Sequence, residues 1–221
     1  MNKFYELNIV LQWIVALLLL APLVILVLFW SQRSFENPWL YPALIPMTPF
    51  IQFFIAPFAK LSGMYTYLSP MLLAFGASDK KYDLHAGTSF DYLLLMRNTP
   101  AGPKARRRIL GYFMEGLLKI IEKIERGELP ESVVISGSSY FFSDQSASRL
   151  GFAVKQPSVA ERLNVYINII DLFWMYSYAQ GKLTFPKLNE IKKAETDGST
   201  LLLKKSYIEQ MHTLLGKNTL T

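Results

Sequence analysis

Hydrophobic residues fill the start of the chain without a break. Residues 7–30 (LNIVLQWIVALLLLAPLVILVLFW) hold no charged side chain in 24 positions. As an α-helix, which rises 1.5 Å per residue, this run is about 36 Å long and exceeds the roughly 30 Å hydrocarbon core of a bilayer. A cleaved signal peptide has a shorter apolar core, about 7–15 residues, and a small-residue cleavage site. We therefore predict that residues 7–30 form a retained transmembrane helix.

A second apolar region follows a polar break at residues 31–37. From residue 37 to residue 78 the chain has one charged side chain, Lys60. Prolines oppose a long regular helix because each removes a backbone donor, and they stand here at positions 38, 42, 46, 49, 57 and 70. We predict a membrane region at residues 1–78, with a proline-rich second membrane or interfacial segment at 38–76. Either this segment crosses back and forms a hairpin, which we favour, or it lies in the interface and the following domain faces the side opposite the N-terminus.

Residues 79–221 alternate short apolar runs with amphipathic helical patterns. Strands are predicted at 90–96, 132–136, 152–155 and 183–188. Helices are predicted at 104–126, 143–150, 159–179 and 201–215, and Ser158 with Glu161 forms a capping box for the third of these. The expected fold class is an N-terminal transmembrane α-helical region followed by a mixed α/β (α+β) soluble domain with a sheet of three to four strands.

Basic residues concentrate after the membrane region. The net charge is +6, of which residues 1–78 contribute only +1. Because Lys and Arg next to membrane segments favour the cytoplasmic side, we predict a protein of the inner or plasma membrane with a cytoplasmic domain; the cluster comprises Lys80, Lys81, Lys104, Arg106, Arg107 and Arg108. The three arginines open a predicted helix, the wrong end for its dipole. They are candidates for binding anionic lipid headgroups, although a solvated helix face explains them as well.

The residues present exclude several kinds of site. The chain has no cysteine and only two histidines, His85 and His212. A disulfide, a thiol nucleophile, a thiolate zinc site and an iron–sulfur cluster are therefore excluded. The two histidines are far apart in the sequence and no carboxylate pair has ligand spacing, so we predict no metal and no cofactor. No basic stripe alternates with aromatic residues, and nucleic acid is not an expected partner.

One stretch is a candidate ligand site. In VVISGSSYFFSDQSASRLGF (residues 133–152) a predicted strand runs into Gly137, Ser138 and Ser139 before a short helix. A loop at such a junction presents backbone N–H groups and hydroxyls that can hold an anion or a polar headgroup. The stretch lacks the glycines and lysine of a phosphate loop and the G-x-S-x-G of a nucleophile elbow. A tight structural turn explains the same small residues.

A nucleophilic triad is the alternative use of these residues. It would combine Ser138 or Ser139 with His85 and with Asp91 or Asp144. The residue types are present, but their spacing does not support the arrangement. Asp171, within an apolar helical pattern, is interpreted as a buried and paired carboxylate or as part of an exposed face.

The order of LHAG (residues 84–87), a long amphipathic helix and VVISGSSYFFSDQSASRLGFAVKQPS (residues 133–158) resembles the uncharacterised YkoP-like domain. In that domain a strand with small residues leads through a short helix to an LGF-V strand and a Pro-containing turn. The matching positions are Ile135 to Gly137 and Leu150 to Val154, with His85 in a similar place, within residues 83–157. The resemblance implies a mixed α/β domain and no mechanism, and the N-terminal membrane region departs from it.

These observations favour a membrane-anchored interaction or accessory module that works at the membrane surface or within a membrane protein complex. The first alternative is an enzyme, a hydrolase or transferase acting on a lipid-linked substrate through Gly137–Ser139 and His85. The second is a structural subunit whose proline-rich segment packs between other membrane chains. Membrane lipid and other membrane proteins are the expected partners.

Overall fold

The computed structural model describes residues 3–139, 144–188 and 191–217. Within them a long N-terminal helix precedes a mixed α/β region. The helices are α1 (Ile9–Glu36), α2 (Leu44–Leu61), α3 (Ser89–Leu95), α4 (Pro103–Glu125), α5 (Asp144–Arg149), α6 (Val159–Ile167), α7 (Ile169–Gln180), α8 (Gly198–Leu203) and α9 (Lys205–Lys217). The strands are β1 (Tyr65–Ser69), β2 (Leu72–Phe75), β3 (Lys81–Ala86), β4 (Val134–Ser139), β5 (Ala153–Lys155) and β6 (Lys192–Asp197).

Helix α1 contains the predicted apolar run and continues beyond it. Asn8 caps its first turn by accepting a hydrogen bond from the Val10 amide. The predicted polar break at residues 31–36 is helical, because the Ser31 and Ser34 hydroxyls bond back to helix carbonyls and do not terminate the helix. The helix is long and apolar enough to cross a membrane, and 11% of its most apolar window is buried.

Helices α1 and α2 form an antiparallel hairpin. A 3-10 helix at Pro38–Ala43 connects them. The rings of Trp30 and Tyr41 meet near the turn, with centroids 5.7 Å apart, and those of Trp13 and Phe58 meet near the other end at 6.0 Å. Despite Pro49 and Pro57, which lie inside it, α2 remains helical through Leu61. The start of α1 and the end of α2 therefore lie at the same end of the hairpin.

Six strands form one sheet within the described residues, in the order β1-β2-β3-β4-β6-β5. Neighbours are antiparallel except β3 and β4, which are parallel. The prediction of three to four strands was too low. Residues 65–75, which we assigned to the membrane region, form β1 and β2, and their aromatic residues are part of the sheet.

The predicted strand at residues 90–96 is wrong, because this segment is α3. Thr88 caps the helix by accepting a hydrogen bond from the Asp91 amide, and the Asp91 carboxylate accepts one from the Thr88 amide in return. A short apolar run is compatible with a buried strand or a buried helix, and this capping box selects the helix.

Several other helices and strands begin or end at residues different from those predicted. The strand predicted at 132–136 extends to Ser139, and the one predicted at 183–188 is irregular through residue 187; a strand forms at Lys192–Asp197 instead. The helix predicted at 159–179 has the expected capping box but is interrupted at Asn168. The terminal helix is interrupted at Lys204. Residue 143, the predicted start of the short helix, lies outside the described residues.

The hydrophobic core lies between one face of the sheet and helices α4, α8 and α9. Helix α4 matches the prediction at 104–126 and buries Ile120 and Ile121 against Leu72 and Ile135. Gly116 allows the close approach, since a Cβ there would lie 2.5 Å from the Leu72 side chain.

The chain before α1 packs on the domain. A 3-10 helix at Lys3–Glu6 buries Phe4 and Tyr5 against Ala56 of α2 and Phe90 of α3. The Phe4 and Phe90 rings meet edge to face at 5.4 Å. The N-terminal residues and the domain therefore lie at the same end of the hairpin, as the favoured topology requires.

Candidate functional site

The second face of the sheet presents polar side chains on its central strands. Asp83 of β3 pairs with Ser136 of β4, and Leu84 pairs with Gly137. Because side chains alternate along a strand, His85 and Ser138 follow on the face that carries Asp83 and Ser136. His85 and Ser138 are exposed. We call this the open sheet face, defined by Asp83, His85 and Ser138 with Lys193 and Glu195 of β6; Ser136 lies on the same face but is buried.

Ion pairs connect the charges of the open sheet face. The His85 Nε2 atom lies 3.8 Å from Asp83 Oδ2, and Lys81 Nζ lies at the same distance. The neighbouring His85 imidazole is the largest influence that lowers the pKa of the Asp83 carboxyl, and the Lys81 ammonium acts in the same direction. Across the sheet, Lys193 Nζ lies 3.1 Å from the Glu161 carboxylate at the start of α6. The surface therefore carries both signs of charge in fixed positions.

This geometry suits recognition better than acyl transfer. Strand β4 pairs with β6 along its whole length and with β3 as far as Gly137, so most of its backbone amides are engaged in the ladders. An oxyanion hole needs donors aimed at the developing charge. His85 and Ser138 stand instead on a strand surface whose amides point along the sheet. Asp83, which sequence reasoning missed, is the carboxylate beside His85.

The predicted loop at Gly137–Ser139 is wrong, because these residues continue β4. Gly137 pairs with Leu84 and Ala194, and a Cβ at Gly137 would lie 3.1 Å from the Leu84 carbonyl oxygen. Ser139 pairs through its backbone with Lys192. The small residue at 137 thus allows close strand packing, and the tight turn offered above as the structural explanation is not formed at these positions.

The two other acids proposed for a triad lie elsewhere. Asp144 on α5 forms an exposed ion pair with Lys192, at 2.6 Å. Asp91 on α3 is fully buried and bonds to Tyr67 and Thr88. Neither carboxylate orients His85, so the structure does not assemble the predicted triad.

The three predicted lipid-binding arginines have different environments. Arg108 is half-buried, donating to the Thr99 hydroxyl at 2.7 Å and to the Tyr112 hydroxyl. Arg106 is exposed and lines, with Arg149, a largely apolar cleft of about 200 Å³ between α4, α5 and α9. Arg107 is exposed. Arg106 and Arg107 remain available to anions, while Arg108 has a structural role.

A buried polar network, not predicted from the sequence, lies where α2, α3 and α7 meet β1. The Tyr67 hydroxyl donates to Asp91 Oδ2 at 2.6 Å, and the Thr88 amide and hydroxyl both donate to the same oxygen at 2.9 Å. Burial, and then the negative charge of Asp91, raises the pKa of the Tyr67 hydroxyl well above its ordinary value. Tyr67 is thus a hydrogen-bond donor for this carboxylate at physiological pH.

Asp171 of α7 forms the second part of the network. The Ser89 hydroxyl donates to Asp171 Oδ1 at 2.6 Å and the Trp174 indole donates at 2.8 Å. Burial raises the pKa of the Asp171 carboxyl, and the two hydrogen bonds oppose this effect. Of the two interpretations offered for Asp171, the structure selects the buried one.

The network connects the domain to the hairpin. Thr48 of α2 donates to the Ile167 carbonyl at 3.1 Å, and the Gln52 amide donates to Asn168 Oδ1 at 2.5 Å. Lys60 Nζ lies 3.9 Å from the centre of the Tyr5 ring. A sequence signal existed for one part: Thr88-Ser-Phe-Asp91 has the S/T-x-x-D/E spacing of a capping box. Nothing local marks the contacts of α2 with α7, because their residues are more than a hundred positions apart.

Metal binding has no support in the part of the chain that the structure describes. No group of three or more His, Asp or Glu side chains there is arranged to hold an ion.

Comparison of the chain with known protein families, with curated proteins and with solved structures found no significant match. The resemblance to the YkoP-like domain therefore stays a prediction. The function has to be argued from the geometry of this chain alone.

Proposed function

We propose that the chain is a membrane-anchored interaction or accessory module that works at the membrane surface or within a membrane protein complex. The observation that carries the proposal is the exposed apolar surface of α1. The side chains of Leu18, Ile25 and Leu28 are each more than 60% exposed, at 68%, 68% and 63%. A core helix of a soluble protein buries such side chains, whereas a membrane helix turns them to lipid.

The anchor holds the domain without a flexible linker. Helix α2 ends at Leu61 and β1 begins at Tyr65. The hydrogen bonds of Thr48 and Gln52 to the α6–α7 junction fasten the middle of α2 as well. The domain thus keeps one orientation relative to the hairpin, which suits a module that presents a surface to a neighbouring membrane protein.

The charges after the hairpin support a cytoplasmic domain. Lys80, Lys81, Lys104, Arg106 and Arg107 are exposed. Such residues close to a membrane helix favour the cytoplasmic side and attract anionic lipid. Arg106 and Arg107 are the proposed headgroup ligands.

The open sheet face is the proposed surface for a protein partner. Exposed Ser138 and His85 occupy its centre, and charged groups of both signs surround them. An arrangement of this kind favours specificity through complementary charges. The enzyme alternative needs a substrate pocket at His85, and the cleft beside Arg106 lies on a different part of the molecule.

The test is co-purification from membranes in mild detergent. We expect a membrane protein to remain bound to the wild-type chain in fixed stoichiometry. The Ser138→Arg variant should lose it while keeping the wild-type circular dichroism spectrum, because the long cation blocks the centre of the open sheet face. Glu209→Arg, on the exposed side of α9, is the matched control and should keep the partner. Retention of the partner by Ser138→Arg, or a wild-type chain that purifies alone, would contradict the proposal.

A further inference from the structure

Helices α6 and α7 share an apolar outer face that no other described part of the chain covers. Leu163, Tyr166 and Ile167 recur at the i, i+3, i+4 spacing of one face of α6, and Ile170 follows in the first turn of α7. Their exposed fractions are 58%, 52%, 43% and 40%. Val165, on the opposite side of the helix, is buried. The amphipathic pattern is therefore inverted: large apolar side chains point away from the protein.

The ring contacts between α1 and α2 give the position of this face along the hairpin. Trp13 lies opposite Phe58 and Trp30 lies opposite Tyr41, so positions along α1 and α2 can be matched. By that register, Thr48 and Gln52 lie level with the middle of the apolar run at residues 7–30. These are the two residues that bond to Ile167 and Asn168 at the α6–α7 junction.

We infer that the outer face of α6 and α7 is immersed among lipid acyl chains beside the hairpin. The inference rests on the proposed membrane anchor. If the run at residues 7–30 spans the bilayer, the α6–α7 junction lies below the headgroups, where acyl chains cover apolar side chains. Lipid covers this face because the face lies at the same depth in the bilayer as the exposed apolar surface of α1.

Most polar groups of the two helices are arranged for such immersion, and the exposed Asn164 side chain accepts a hydrogen bond from Asn168 Nδ2. Asp171 is turned inward, where Ser89 and Trp174 donate to it. Glu161 and Arg162 stand in the first turn of α6; Glu161 pairs with Lys193 on the sheet and Arg162 donates to Gln156. Charge is therefore kept at the end nearest the sheet, where it can reach the headgroup layer.

Nitroxide scanning of the full chain in lipid nanodiscs tests the inference. The chain has no cysteine, so each labelled site is unique. Labels go on Leu163→Cys, Ile167→Cys and Ile170→Cys, with Leu18→Cys on the exposed side of α1 and Glu209→Cys on α9 as the lipid and water references. The measurement compares relaxation by oxygen, which concentrates in lipid, with relaxation by a water-soluble nickel chelate.

We expect the three α6–α7 labels to resemble Leu18→Cys, with oxygen access far above nickel access. If they resemble Glu209→Cys while Leu18→Cys remains lipid-exposed, the inference fails and the anchor survives. If the three labels are shielded from both reagents, a protein contact covers the face and the inference also fails. If Leu18→Cys itself is open to the nickel chelate, the proposed membrane anchor fails with it.

Discussion

At the scale of single residues, the buried aspartates Asp91 and Asp171 meet the cost of burial in different ways. Three donors converge on one oxygen of Asp91, at 2.6, 2.9 and 2.9 Å. Asp171 receives two hydrogen bonds on Oδ1, while its Oδ2 has no hydrogen-bond partner among the described residues. Hydrogen bonds to a carboxylate favour its charged form, and burial opposes it. Asp171 therefore accepts fewer hydrogen bonds that favour its charged form than Asp91 does.

Replacing Asp171 with Asn should raise thermal stability at neutral pH. Burial raises the pKa of Asp171 in the folded protein above its unfolded value. The stability linked to this group is thus fully present below the unfolded pKa and is lost as pH rises through the folded pKa. The amide removes the charge and keeps an acceptor for Ser89 and Trp174. Thermal unfolding in detergent at several pH values measures the effect.

The gain from Asp171→Asn should shrink as the pH approaches the ordinary pKa of an aspartate, where wild-type Asp171 is also neutral. Asp79→Asn, at an exposed position, is the control and should change little at any pH. A wild-type protein that is the more stable of the two at neutral pH would mean that the Asp171 charge stabilises the fold.

At the scale of elements, α4 and α1 are two long helices with different distributions of apolar residues. Helix α4 buries an apolar stripe against the sheet and exposes its charged side chains. Helix α1 is apolar on nearly all sides, and most of its surface faces away from the protein. The first pattern is stabilised by transfer from water to a protein core, and the second is the pattern expected of a helix surrounded by lipid.

Ile120→Ala should destabilise the domain by about 2–5 kcal/mol, because it leaves a cavity between α4 and the sheet. Ile120 is fully buried. Glu122→Ala, on the same helix, removes ion pairs with Lys119 and Arg126. Exposed ion pairs of this kind add little to stability because water and salt screen them, so this variant should unfold close to wild type. Thermal or denaturant unfolding in detergent compares them, and equal losses would show that the core face of α4 is misassigned.

At the scale of the whole molecule, the chain enters and leaves the α1–α2 hairpin at the same end. The N-terminal residues Phe4 and Tyr5 pack on the domain beside Phe90. If the hairpin crosses the bilayer, its turn near Gln32 lies on the side opposite the domain. The hairpin topology predicted from the sequence requires this arrangement, and labelling from outside the cell tests it.

A membrane-impermeant maleimide applied to intact cells should therefore label Gln32→Cys and leave Glu209→Cys unlabelled until lysis. Both residues are exposed, one at the end of α1 and the other on α9. The single-cysteine variants are otherwise identical to the natural chain, which has no cysteine. Labelling of Glu209→Cys in intact cells would place the domain outside, and protection of both sites would mean that the turn does not cross.

Local patterns alone were sufficient for several elements. The uninterrupted run at residues 7–30, the periodicity of α4 and the Ser158–Glu161 capping box each depend on neighbours within one or two helical turns. Such features form from short-range interactions, and the sequence determined them. The same patterns determined that the N-terminal helix is long and apolar enough to span a membrane.

Tertiary structure decided the rest. Strand β6 has the sequence KKAETD and becomes a strand only because β4 and β5 bond to it on both sides. Strands β1 and β2 lie in an apolar segment whose composition is equally compatible with a membrane segment, so the sequence did not predict them. Gly137 and Ser138 were assigned to a loop, but pairing with β6 extends the strand through both residues. In each case a hydrogen-bonding partner distant in sequence selected the conformation. Local propensity does not depend on that partner and so could not predict it.

The same limit applies to function. The sequence shows which residue types are available, among them His85, Ser138 and Asp91. Only the fold separated Asp91 from His85 and placed Asp83 beside His85. Likewise, the apolar residues of α6 and α7 look like core positions in the sequence. Packing of their inner side on α2 turned Leu163, Ile167 and Ile170 outward. Which apolar residues are covered by protein and which stay exposed depends on where other elements stop, so only the tertiary structure decided it.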